Sequence, residues 1–160
     1  MTSKTELKVL TILRSLEVTR DLETEHLRKL ASLTSEVEFA EGEIIYRVGD
    51  VGEAIYIIET GQVVIEMNVP GQGEVTVLTV GPGQLFGWSS LFPSERTMAR
   101  ARAVKPTQAI AINANRLQAA CRTDHRLENA IIRCTAKVMA DRIKTTRQQL
   151  VDILASGQEK

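Results

Sequence analysis

Between residues 35 and 113 short apolar alternations are cut repeatedly by glycine, and that punctuation restricts the chain to a few architectures. Val37 and Phe39, Ile45, and the runs 54–59, 63–67 and 75–80 place apolar side chains at every second position, the spacing of a strand. Glu41-Gly42-Glu43, Gly49-Asp50, Thr60-Gly61, Pro70-Gly71-Gln72-Gly73 and Gly81-Pro82-Gly83 separate them. Each supplies residues that accept the dihedrals of a tight turn. Residues 98–104 and 108–112 continue the pattern, so the middle of the chain is predicted to be an antiparallel sandwich or barrel.

Helices flank it. Leu7, Leu10, Leu13 and Leu16 recur at helical spacing, and Leu22, Leu27, Leu30 and Leu33 form a second set, which predicts two helices within residues 1–33. Asn113 or Asn115 can cap a helix running through Leu117 to Cys121. From Asp124 to Ser156 there is neither proline nor glycine, and one long helix is expected, giving C-terminal helices over 115–156. At 160 residues the chain is long enough to bury a substantial core as one domain over 1–160 and too short for two full-sized ones.

Twenty basic residues balance twenty acidic ones, which argues against the broad cationic surface behind non-specific nucleic-acid binding. Lys4, Glu6, Lys8 and Arg14 interrupt every short apolar run near the start, and no stretch is long enough to span a bilayer, so a cytoplasmic protein without membrane contact is expected. Cys121 and Cys134 lack a second pair or a histidine at zinc-ligand spacing and read as structural thiols. His26 and His125, isolated in polar helical segments, read as surface or capping residues. No paired nucleophile and base, metal cluster or dinucleotide fingerprint is present, so no enzymatic activity and no cofactor is expected.

The chemistry concentrates in residues 83–97, a glycine turn, one short helix and an arginine. A helix this short leaves most of its first N–H groups without partners, and they favour a negative charge. Gly87 lets a ligand approach the backbone, Ser89 and Ser90 add hydroxyls, and Arg96 is a cation for a phosphate. Arg100 and Arg102 share the parity of Arg96 and would lie on one strand face, lining the pocket or in water.

This segment resembles the phosphate-binding cassette of the cyclic nucleotide-binding domain family. The flanking course resembles it too, from Glu41-Gly42-Glu43-Ile44-Ile45-Tyr46 through Gly49-Asp50, Ala54-Ile55-Tyr56-Ile57-Ile58 and Glu59-Thr60-Gly61-Gln62-Val63, so that the likeness spans roughly 20–150. It implies an α+β fold: an antiparallel β-roll over 35–113, of the double-stranded β-helix or jelly-roll kind, carrying the cassette at 83–103. It also implies a non-enzymatic sensor for a cyclic nucleotide, cAMP or cGMP, or another phosphorylated small molecule. The ligand-binding set is then Phe86, Gly87, Trp88, Ser89, Ser90, Arg96 and Thr97. The family cassette reads Phe-Gly-Glu, with Pro-Arg after a linker; its glutamate accepts the ribose 2′-hydroxyl and its arginine pairs the phosphate. Here Trp88 stands at the glutamate's place and Thr97 at the arginine's, with Arg96 one residue early. Trp88 is a platform for the base, a plug in the ribose pocket, or an aromatic packed at the barrel mouth; Arg96 is the phosphate partner or a loop arginine paired with Glu95 or Asp50. With the pocket closed, the chain would be a degenerate family member serving as a dimerisation or protein-interaction module. A cupin-like barrel enzyme is the remaining all-β reading and would need clustered histidines.

The last helix carries two apolar stripes. Leu127, Ile131, Cys134 and Val138 can cover the barrel, while Ile132, Ala136, Met139, Ile143, Thr146, Leu150 and Ile153 suit a second chain, which predicts a homodimer through this helix. Arg133, Lys137, Arg142, Lys144 and Arg147 form a weakly basic face, read as a solvated flank. Residues 151–160 leave no room for a helix-turn-helix, so the expected output is an unknown effector protein or the dimer itself, without direct DNA reading.

Overall fold

The structure, a computed structural model, describes residues 4–16, 19–92 and 96–157. Helices α1 (Lys4–Ser15) and α2 (Thr24–Ser32) precede strands β1 (Thr34–Phe39), β2 (Ile44–Tyr46), β3 (Ala54–Thr60), β4 (Val63–Val69), β5 (Gly73–Val80) and β6 (Leu85–Phe86). A 3-10 turn, Trp88–Leu91, then leads to β7 (Arg100–Ala103), β8 (Thr107–Asn113), α3 (Ala114–Thr123) and α4 (His125–Gly157). The strands form two sheets, ordered β1-β8-β3-β6 and β2-β7-β4-β5, and every pairing is antiparallel. The roll with flanking helices is the fold that the glycine punctuation and the family likeness imply.

The two central strands of the first sheet are buried on both faces, and their sequences show why. Ile57 of β3 lies opposite Leu85 and Ile110, and these three point toward the helices. Val9, Leu13 and Leu16 from the first helical segment, Leu27 and Leu30 of α2, Leu117 of α3 and Leu127 of α4 close over them. The alternate residues, Ile58 and Phe86, point into the roll and meet Val63, Ile65, Val80 and Ala101 of the second sheet. Burial of each large aliphatic side chain contributes about 1.5–3 kcal/mol, so this two-sided layer is the main source of cohesion. Inward alanines, Ala101 and Ala103 on β7 and Ala109 and Ala111 on β8, leave the interior narrow-walled without filling it.

Several local expectations change. Leu7 is 56% exposed, and Val9 packs in its place, because the buried line of α1 runs through 9, 13 and 16. Met98 is exposed and β7 starts only at Arg100. His26 is buried at 6% exposure instead of lying on the surface, since α2 tucks that side of its first turn toward α4. Asn113 is the cap of α3, its Oδ1 accepting from Arg116 N at 2.9 Å. Asp124 caps α4 through Oδ1, which accepts from the Arg126 and Leu127 N–H groups at 3.1 Å each. Leu127, Cys134 and Val138 of α4 are buried, whereas Ile132, Ile143, Leu150 and Ile153 are exposed, as the two stripes require. No helix among the described residues is long and apolar enough to cross a membrane.

Arg100 and Arg102 neither line the pocket nor stand free in water. On the outer face of the second sheet, β4 and β7 set Glu66 opposite Arg100 and Val64 opposite Arg102. Glu66 accepts from Arg102 Nε at 2.9 Å and Nη2 at 3.1 Å, and from Arg100 Nη2 at 3.0 Å. The hydrogen bond from Arg102, and then that from Arg100, hold the Glu66 carboxyl below its usual range despite its burial. A folded-state value below the unfolded one adds stability above the unfolded pKa, and that stability disappears as pH falls through the folded value. Glu66→Gln should therefore cost about 1–3 kcal/mol in denaturant unfolding at pH 7, with the gap to the parent narrowing below about pH 4. Gly61 turns the β3–β4 hairpin at φ +105°, and a Cβ there would meet Pro106 O and Thr107 Cα at 2.6 Å. Gly61→Ala should lower the melting temperature by several degrees, from about 1–3 kcal/mol of backbone strain.

Candidate functional site

A cleft of about 350 Å³ opens between the β2–β3 connection and the 3-10 turn. Its construction starts at Gly87, which caps the turn at φ +92°; a Cβ there would lie 2.7 Å from the Ala54 carbonyl oxygen. The opposite approach is as close, because a Cβ on Gly52 would fall 2.8 Å from Ser90 Cα. These two contacts seat the cassette directly on the start of β3, and both glycines line the cleft. Ser90 is spent internally, its Oγ donating to Gly87 O at 2.7 Å. Ser89 lines the cleft.

One wall is aromatic. Phe86 stacks on Tyr56 with ring centroids 4.9 Å apart and lies 6.3 Å from Tyr46, and the two tyrosines line the cleft. Burial raises the Tyr46 phenol to about 12, against a smaller opposing pull from Arg142. Tyr56 is raised by burial and then by the Glu53 charge. Both hydroxyls therefore stay protonated at neutral pH and can donate as well as accept.

The far wall is the turn before β3. Thr97 lines the cleft, donates through Oγ1 to Arg47 O and accepts from Asp50 N at 3.1 Å, while its own N–H donates to Asp50 O at 2.9 Å. Asp50 Oδ2 accepts from Arg47 N at 2.8 Å, which closes the turn. Asp50 and Glu53 are the charged residues of the lining, so the cleft is acidic.

The sequence-derived site set divides accordingly. Gly87, Ser89 and Thr97 come together around the cleft. Phe86 supports its aromatic wall from within the roll, and Ser90 braces the turn. Trp88 packs against the helical layer with Leu91, and its indole N–H is buried without a hydrogen-bond partner among the described residues. Arg96 pairs its backbone with Val51 and donates through Nη1 to Gly49 O at 3.0 Å. Glu95, its alternative partner in the sequence reading, lies outside the described residues. Sequence reasoning missed Tyr46, Glu53 and Tyr56. A usable signal existed for Tyr56, which shares inward parity with Ile58 on a strand whose other parity is aliphatic.

Arg142 of α4 is half-buried rather than solvated, donating through Nη2 to the Leu85 carbonyl within the cassette segment. Gln149 Nε2 donates to Val77 O at 3.1 Å, so α4 grips the roll at two carbonyls. Among the described residues no group of three His, Cys, Asp or Glu side chains could hold a metal ion. Hydroxyls, aromatic rings and two carboxylates equip the cleft to bind a small polar molecule.

Comparison with known proteins leads to the same place. The cyclic AMP receptor protein of Thermus thermophilus is 35% identical over 74 residues, 46% of this chain and 34% of that protein. The CRP-like cAMP-activated global transcriptional regulator of Mycobacterium tuberculosis is 27% identical over 129 residues, 78% of this chain and 55% of the regulator. The chain thus spans between a third and about half of these relatives. In fold it matches the crystal structure of a cyclic nucleotide-binding domain from Methylobacillus flagellatus with a TM-score of 0.80 at 21% identity, covering 93% of this chain and 84% of that one. The family model for the cyclic nucleotide-binding domain matches residues 36–124, from β1 to the end of α3 and across the whole cleft, so this chain belongs to the cyclic nucleotide-binding domain family.

Proposed function

We propose that the chain is a non-enzymatic regulatory sensor domain whose cleft receives a cyclic nucleotide or a related phosphorylated small molecule. The observation that carries this reading is the seat of the cassette: Gly87 and Gly52 bring Ser89 and the turn's backbone against an aromatic-walled cleft large enough for such a ligand. The tyrosine wall offers a surface for a flat base.

The lining carries carboxylates and no basic side chain, so a phosphate needs a cation from nearby. Arg96 is the candidate. It is exposed, held by its bond to Gly49 O, and its backbone neighbours Thr97 and Val51 both line the cleft. In this reading the guanidinium exchanges the Gly49 carbonyl for the ligand's phosphate, a charge-assisted bond in place of a neutral acceptor. The single-domain arrangement over 1–160 and a cytoplasmic location belong to the same proposal.

Signalling would run through α4. Its Arg142 holds the Leu85 carbonyl of the cassette segment, and the exposed stripe of Ile132, Ile143, Leu150 and Ile153 suits a homodimer or an effector protein. A ligand shifts that equilibrium only as far as it binds the two states of α4 with different affinity.

The second reading, an interaction module that binds no nucleotide, is favoured by the acidic lining and by the engagement of Arg96 away from the cleft. Calorimetric titration with cAMP and cGMP into the millimolar range separates the two. Under the sensor reading the parent binds one of them saturably, and Arg96→Ala weakens that binding at least tenfold with little change in melting temperature. Equal affinity in the two proteins would remove Arg96 from the site, and silence with both nucleotides would favour the interaction module. Trp88→Glu should not restore a ribose acceptor, because the side chain at that position packs in the helical layer. The expected result is a loss of about 2 kcal/mol or more in unfolding free energy and no gain in nucleotide affinity.

A further inference from the structure

A second cleft, of about 550 Å³ and separate from the roll, lies between the start of α2 and the first half of α4. On its α4 side Arg126, Arg133 and Lys137 follow one another at spacings of seven and four residues, which sets them along one helical face. Neither Arg126 nor Arg133 makes an ion pair with a described residue, and Lys137 stands a loose 4.0 Å from Asp21 Oδ2. On the opposite side α2, nine residues long, begins at Thr24, and its cap residue Glu23 makes no side-chain capping bond to the first N–H groups. His26, in that first turn, is 6% exposed and lines the cleft, with no hydrogen bond or ion pair from its ring among the described residues.

Among the described residues the Trp88 indole nitrogen is the fully buried side-chain polar atom without a partner, so the His26 ring nitrogens keep contact with solvent and are open to a ligand that enters the cleft. What surrounds it is donor-rich: two free guanidiniums, an ammonium, and the amino end of a helix, whose dipole favours negative charge. Two carboxylates face the same space, Asp21 and Glu23; Asp21 already leans on Lys137, leaving the guanidiniums with charge to spare.

We infer that this cleft is an anion site for a small phosphate-bearing molecule, bridging the His26 turn of α2 and the Arg126–Lys137 face of α4. Phosphate oxygens would accept from the two arginines in the bidentate manner that suits guanidinium and from the imidazole N–H. Because it joins the N-terminal helices to the helix that grips the roll, its occupancy would fix their relative position. The site stands whether or not the roll binds a nucleotide.

The test uses the full chain and inorganic pyrophosphate as probe. The chain has two histidines, so their ring proton resonances are readily told apart with a His26→Gln variant. Titration at pH 7 should raise the melting temperature and move the His26 ring resonance while leaving that of His125 in place. The surface double variant Arg126→Gln/Arg133→Gln should weaken the apparent affinity at least tenfold, and saturating cAMP should not displace the probe. Arg147→Gln, farther along α4 and outside the cleft, should bind as the parent does. An unmoved His26 resonance, an equal loss in Arg147→Gln, or full affinity in the double variant would overturn the site.

Discussion

The central strands of the first sheet carry large apolar side chains on both faces, and the rest of the molecule is arranged around that constraint. Ile57 and Ile110 must be covered from outside, which fixes α1, α2, α3 and the first turns of α4 against the sheet. Ile58 and Phe86 must be covered from within, which brings the second sheet across the roll. The same register decides the site, because Tyr56, directly opposite Phe86, is turned inward to become the aromatic wall. The cassette then has one place to sit, on the first residues of β3, and it sits there only because Gly52 and Gly87 carry no β-carbon.

Much of the fold was readable from period and punctuation. A run such as Ile55-Tyr56-Ile57-Ile58 is nearly continuous in apolar character because both of its faces are buried, and the glycine turns on either side fix its length. The division of α4 into a packed and an exposed stripe followed from helical spacing. Facing was less readable where charge was involved. Arg100 and Arg102 have the pattern of solvated residues, and only the pairing of β7 with β4 reveals Glu66 between them. Basic residues on α4 likewise read as one solvated flank, yet Arg142 turns inward to the Leu85 carbonyl.

Of the residues named from the sequence, Gly87 and Ser89, read from the glycine turn and its hydroxyls, and Thr97, named through the family likeness, line the cleft. The orientation of Trp88 was open in the sequence, because one aromatic on a four-residue turn can face either side; packing against the helical layer decides it. Arg96 precedes β7 and is held by an isolated bridge to Val51; Thr97 beside it lines the cleft, while the Arg96 guanidinium finds Gly49 O. The acidic lining comes from Asp50 and Glu53, which no cassette pattern contains.

Under the sensor reading proposed above, a carboxylate-lined cleft whose nearby arginine is held on a carbonyl would bind only after a local rearrangement, and α4, bonded to the Leu85 carbonyl, would register it. The most direct test is a backbone amide NMR titration of the full chain with cAMP. The account predicts shifts that begin at Gly87, Ser89 and Thr97 and extend to residues of α4 around Arg142. Shifts that leave the cassette unmoved at millimolar ligand, or that stop at the cleft without reaching α4, would contradict it.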